Sequence, residues 1–202
     1  FRLSAEKGHV LAQFNLGLRL VSGDGIEKDL SGAALWFEKA AENGHAGSQY
    51  MLAICYLNID GGIARNCGEV ERLLLLAANQ DHVDAMYELG LLFRGHYKTG
   101  CRNHLCTYNR FRLYTLAADK GHTDAIYAQG LCYKNGQGVP EDSDKALIFF
   151  RRAALQGHCD AQFVAGLALQ QASRDSEEED AVEAVKMFSL AGFGGNDMKY
   201  RL

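Results

Sequence analysis

Four residues near the middle of the chain are of the types that a tetrahedral zinc site uses: His96, Cys101, His104 and Cys106 fall within eleven residues. Two imidazoles and two thiolates can close such a site at about 2.0–2.3 Å from the metal. The spacing of the last three, C-x2-H-x-C, is not an established finger pattern. The same residues therefore also read as an unligated insertion loop, the favoured reading, and a Cys101–Cys106 disulfide is open to them under oxidising conditions. The remaining histidines, His9, His45, His82, His122 and His158, lie 36, 37, 40 and 36 residues apart. Equivalent positions in stacked helix pairs are separated by roughly 10 Å, too far to share one ion, so these five read as turn residues. Gly23-Asp24-Gly25 and Gly136-Gln137-Gly138 contain G-x-G, but each follows a helical pattern rather than a strand and lacks the third glycine of a dinucleotide fingerprint. No nucleophile elbow or Walker loop is present, and no cofactor is expected.

The composition narrows the classes further. In 202 residues there are 22 glycines and one proline, with 48% apolar and 23% charged residues. Many helices punctuated by glycine fit these proportions, whereas collagen-like, linker and disordered chains do not. The net charge of −4 supplies no positive field for phosphates, so nucleic acid is not expected as the main partner. The longest apolar run, Leu73 to Ala78, is far short of the roughly 20 residues a membrane span needs, and no insertion is expected. Six scattered cysteines and the lack of an Asn-x-Ser/Thr sequon favour a reducing cytosolic or nuclear setting, with the secretory route left open. The acidic run Glu177 to Asp180 reads as a solvated loop beside a helix start, with attraction of a basic partner as the alternative.

The histidine period marks repeated units that must position whatever chemistry is present. Each unit has a first apolar pattern, for example Phe14, Leu16, Gly17 and Leu20, or Tyr127, Gly130 and Tyr133. Each also has a second, such as Ala33, Trp36, Phe37, Ala40 and Ala41, or Ala146, Phe149, Phe150, Ala153 and Ala154. Spacings of three and four put these residues on one side of a helix, giving two antiparallel helices per unit. A glycine inside the first helix costs up to about 1 kcal/mol, which close approach of its neighbour would offset. Between the helices, glycines end the first helix, Ile26 or Val139 can tuck into the seam, and Asp29, Asn66, Asp142 and Asp180 stand where the second helix needs an N-cap. The expected divisions are 10–45, 46–82, 83–122, 123–158 and 159–196, with partial units at 1–9 and 197–202.

These residues resemble the Sel-1-like repeats, relatives of the tetratricopeptide repeats. The pattern is carried by Ala12, Leu16, Gly17, Gly23, Gly25, Asp29, Ala33, Trp36, Phe37, Ala40, Ala41 and Gly44. It is carried again by Ala125, Gly130, Tyr133, Gly136, Gly138, Val139, Asp142, Lys145, Ala146, Phe149, Phe150, Ala153, Ala154 and Gly157. It weakens at Asp81, which replaces the closing glycine, at a long loop from Gly95 to Thr107, at Arg110 in an alanine place, and at Asp175 to Asp180. The resemblance implies an all-α, right-handed superhelical solenoid of about five repeats, cut from a longer array.

The resemblance also implies a protein-interaction scaffold or adaptor that takes an extended or helical segment of a partner protein in a concave groove. If first helices line that groove, the partner-binding positions include Asn58, Asp84, Arg94, Asp124, Lys134, Asn135, Asp160 and Gln170. Tyr50, Tyr87 and Tyr127 stand at its edge, where internal packing is the competing reading. Arg94 and Lys134 occupy equivalent places one repeat apart and could clamp a carboxylate. The competing classes are a β-lactam-binding enzyme of cysteine-rich relatives, whose regular cysteine pairs are absent here, an array regulating an attached catalytic domain, and a zinc-stabilised module.

Overall fold

A computed structural model describes residues 2–58, 67–98, 104–172 and the single position 186. Every regular element among the described residues is an α-helix: α1 (Arg2–Glu6), α2 (Val10–Ser22), α3 (Leu30–Glu42), α4 (Ala46–Asn58), α5 (Cys67–Ala78), α6 (Val83–Lys98), α7 (His104–Asp119), α8 (Thr123–Lys134), α9 (Ser143–Leu155) and α10 (Cys159–Ala172). The chain divides into two compact units, Phe1–Leu92 and Phe93–Leu202. In the first, α1 packs on α2, α2 on α3, α3 on α4 and α4 on α5. In the second, α7 packs on α8, α8 on α9 and α9 on α10. Helices of 12 to 16 residues are marginal alone in water, so their stability comes from these contacts with chain neighbours.

The seam in each helix pair is built from the apolar periodicity. Ala12, Leu16, Gly17 and Leu20 of α2 are buried with Ala33, Phe37 and Ala40 of α3. Ala125, Ile126, Gly130 and Cys132 of α8 are buried with Ala146, Phe150, Ala153 and Ala154 of α9. The helix-interior glycines are where the two backbones come close. A Cβ on Gly17 would lie 2.5 Å from Cε1 of Phe37, and one on Gly130 would lie 2.5 Å from Cε1 of Phe150. Carbon atoms pack at about 3.5–4.0 Å, so each glycine is required by the ring opposite it.

Caps set the element ends. Asp29 Oδ1 accepts from the Gly32 N–H at 2.8 Å, and Asp142 Oδ1 accepts from the Lys145 N–H at 2.9 Å. The Lys145 ammonium returns to Asp142 Oδ2 at 3.0 Å. At the close of the second helices, Gly44, Gly121 and Gly157 take φ of 80°, 89° and 90°, and Asp81 takes φ 66° in the same role. The following histidine N–H then reaches back five residues: His45 to Ala40 O at 3.2 Å, His82 to Ala77 O at 3.1 Å, His122 to Ala117 O at 3.0 Å and His158 to Ala153 O at 3.1 Å. This is the Schellman arrangement, and it explains why an alanine pair and a Gly-His recur together.

Two expectations are corrected. The break between the helices of the third repeat is shorter than Gly95 to Thr107, because α6 runs on to Lys98 and α7 begins at His104. Nothing in His96-Tyr97-Lys98 breaks a helix, and one glycine at 95 costs only about 1 kcal/mol. Ile26 does not tuck into the seam, since it remains 36% exposed, whereas Val139 is half-buried. The caps expected at Asn66 and Asp180 lie outside the described residues. No helix among the described residues is long and apolar enough to cross a membrane.

Candidate functional site

Four of the five periodic histidines do more than occupy a turn. Having closed one helix through its backbone N–H, the same residue caps the next helix with its ring. Nδ1 of His45 accepts from the Ser48 N–H at 3.1 Å, His82 from Ala85 at 3.4 Å, His122 from Ala125 at 3.2 Å and His158 from Ala161 at 3.1 Å. A neutral imidazole accepting at Nδ1 carries its proton on Nε2. The ring then lies against an aromatic residue of the preceding first helix. Centroid separations are 4.7 Å for Phe14 and His45, 4.7 Å for Tyr50 and His82, and 4.3 Å for Tyr127 and His158. His9 makes no side-chain cap bond.

This ladder fixes the polar groups beside it. Oδ1 of Asp124, in the first turn of α8, lies 3.5 Å from Nε2 of His158. In the first unit, burial holds the His45 imidazole below its ordinary pKa. Burial does the same to His82, opposed there by the Asp84 carboxylate and reinforced by His45. Burial pushes the Tyr50 hydroxyl up to about 12, with Glu88 and Asp84 adding to the effect. Burial, with Asp84 again adding, raises the Glu88 carboxyl. In His45, His82, Tyr50 and Glu88 burial thus disfavours the charged form, and the two imidazoles also accept a helix-start N–H.

Of the sequence-predicted residues, Asp84, Asp124 and Asp160 are exposed in the first turns of α6, α8 and α10, two residues after His82, His122 and His158. Tyr87 and Tyr127 are half-buried, and Tyr127 also tilts against Phe150 at 5.5 Å, so its ring is shared between packing and surface. Lys134 and Asn135 are exposed at the end of α8, where Asn135 Nδ2 donates to Leu131 O at 2.9 Å. Gln170 is half-buried on α10. Asn58 and Arg94 lie on α4 and α6, but their side chains fall outside the described set. The same holds for His96, His104 and Cys106, while Cys101 lies outside the described residues altogether. Asp124 and Tyr127 are brought to one histidine, and Lys134 lies beside a cavity of about 270 Å³ lined also by Ala146, Phe150, Val164 and Leu167.

Sequence reasoning missed a second recurring element. Gln13, Gln49 and Gln162 are buried, each four residues after a closing histidine. Their amides donate to Ala5 O at 3.2 Å, Ala41 O at 3.4 Å and Ala154 O at 3.1 Å, carbonyls in the last turn of the preceding helix. The signal was present as a glutamine before each of Phe14, Tyr50 and Phe163.

The Sel1 repeat family profile matches residues 10–45, 46–82, 83–100, 111–122 and 123–158, more than half of the chain. Over 166 residues the chain is 28% identical to chitin synthase regulatory factor 3 of Schizosaccharomyces pombe, covering 80% of this chain but only 18% of that protein. It also resembles the solved structure of a Sel1 repeat protein from Oxalobacter formigenes. There the TM-score is 0.75 at 28% identity, covering 94% of this chain and 75% of that one. YrrB, a TPR protein with an unusual peptide-binding site, shares the fold with a TM-score of 0.58 at 20% identity, covering 98% of this chain and 93% of that one. With its glycine-spaced helix pairs and Gly-His closures, the chain belongs to the Sel1 repeat family.

Proposed function

We propose that this chain is a protein-interaction scaffold that takes an extended or helical segment of a partner protein across its first helices, with no catalytic step of its own. The observation that carries the reading is the histidine ladder. Within each compact unit it packs a half-buried ring against a capping imidazole, and it leaves Asp84 in the first unit and Asp124 and Asp160 in the second exposed at matching places in their repeats. A rigid surface presenting a few polar groups and partly exposed aromatics recognises peptide with little ordering cost. Lys134 adds a cation beside an apolar cavity, and we assign Arg94, its equivalent one repeat earlier, to the same carboxylate clamp. The name of the fission-yeast relative, a regulatory factor, is consistent with such a role.

The test is affinity capture with the full chain and with the double variant Arg94→Glu, Lys134→Glu. A discrete partner retained by the parent and lost from the variant supports the scaffold. Turnover of a small molecule by the purified chain, unchanged in the variant, would overturn it.

A further inference from the structure

Arg110, on α7, occupies the place that Ala33, Val70 and Ala146 hold in other second helices, twelve residues ahead of the closing histidine. All four positions are interior: Ala33 is 0% exposed, Val70 4%, Ala146 2% and Arg110 4%. In three repeats the site ends at a small apolar group, whereas here it encloses a guanidinium. Nη2 donates to Oε1 of Gln137 at 2.9 Å, and the buried Nε has no acceptor. A buried cation served by one neutral amide is a poor bargain for folding, because lost hydration is repaid only by a well-placed anion. Three sister repeats close their seams without a cation here, so stability does not account for Arg110.

Gln137 belongs to the loop between α8 and α9, flanked by Gly136 and Gly138 at φ 60° and 83°. Gln137 and Gly138 are half-buried, and Gly136 is exposed. Among the described residues only the Gln137 amide oxygen is bonded to the guanidinium, in a place where a carboxylate oxygen would make a stronger, charge-assisted bond and a second oxygen could serve Nε. We propose that Arg110 is a carboxylate-binding site, opened when the Gln137 side chain swings aside and filled by an acidic side chain or chain-terminal carboxylate of the partner. Lys145, in the first turn of α9, is held by Asp142 at 3.0 Å. A carboxylate presents two oxygens in one plane, matched to Nε and Nη2 of the guanidinium. The inference rests on the scaffold reading and gives one contact of the partner its chemistry.

The experiment uses the full chain labelled with 15N and follows the Arg110 Nε–H resonance, assigned by its loss in Arg110→Ala. Sodium acetate is titrated at constant ionic strength against sodium chloride, with inorganic phosphate as a parallel arm. A saturable shift with acetate alone is expected. Gln137→Glu supplies the carboxylate internally, so that variant should lose the acetate response and raise its urea midpoint. Arg110→Ala, which restores the residue of the sister repeats, should keep or raise the urea midpoint. An Nε–H that ignores acetate, or answers phosphate more strongly, overturns the proposal, as does a lowered midpoint in Arg110→Ala with no acetate effect in the parent. Failure here leaves partner capture through Arg94 and Lys134 to be judged separately.

Discussion

Replacing Gly130 by alanine sets two effects of known sign against each other. In an open helix the change gains about 1 kcal/mol of propensity. Here the new Cβ would stand 2.5 Å from Cε1 and 2.6 Å from Cδ1 of Phe150. The ring is 2% exposed and touches Tyr127 at 5.5 Å between centroids, so it cannot retreat by the roughly 1 Å that ordinary carbon contact demands. Overpacking of this kind costs about 1–3 kcal/mol, leaving a net loss of about 0–2 kcal/mol once the propensity gain is set against it. Phe150→Leu alone should cost about 1–2 kcal/mol through the volume it leaves empty. In the double variant the methyl fills part of that volume, so the two losses should not add, and a favourable coupling of about 1–2 kcal/mol is expected. Urea unfolding followed by circular dichroism at 222 nm gives all four corners of the cycle. The Gly17 and Phe37 pair, with the same 2.5 Å approach, supplies an independent copy. A Gly130→Ala that gains the full propensity of about 1 kcal/mol, or strict additivity in both cycles, would refute the claim that ring approach dictates these glycines.

Gly157→Ala meets no atom within 4 Å, so its whole effect is the strain of φ 90°, an expected loss of about 1–2 kcal/mol in the same urea assay. Conversely, Asp81→Gly should raise the urea midpoint, by about 0.5–1 kcal/mol, since Asp81 holds φ 66° where the other closures use glycine. Gln162→Met copies the residue that Met86 supplies at the equivalent place and removes the bond to Ala154 O, costing about 1 kcal/mol. The folded-state pKa values of His45 and His82 are depressed, so the unfolded chain binds more protons as pH falls through about 6.5, and stability contributed by the neutral caps is lost below that value. Asparagine at both positions keeps a cap without titrating, and should flatten the fall in urea midpoint between pH 7.5 and 5.5. The raised Glu88 acts with the opposite sign, toward greater stability as it protonates, which is why the slope is read as a difference between parent and variant.

Much of the architecture is legible in the sequence because one physical constraint recurs with each repeat. A glycine opposite a ring, an aspartate ahead of a second helix and a Gly-His after an alanine pair each mark a local requirement, and the structure meets them at Gly17, Asp142 and Gly157. The dual role of the histidine was hidden because composition shows the residue but not which ring nitrogen faces a helix start. The extent of α6 was misread because an insertion relative to sister repeats suggests a loop, while local propensity allowed the helix to continue. Arg110 stood out only as a mismatch, since its partner Gln137 is 27 residues away in sequence. The surface chemistry is the least periodic part of the chain, and periodicity therefore locates Asp84, Asp124 and Lys134 on the first helices without specifying what they bind.

The most direct test of the scaffold claim is hydrogen–deuterium exchange of the full chain with and without its captured partner. Slowed exchange should concentrate in the first helices α6, α8 and α10, around Asp84, Asp124, Lys134 and Asp160, and should disappear in Arg94→Glu, Lys134→Glu. Protection confined to the second helices, or present equally in that variant, would contradict partner binding across the first-helix surface.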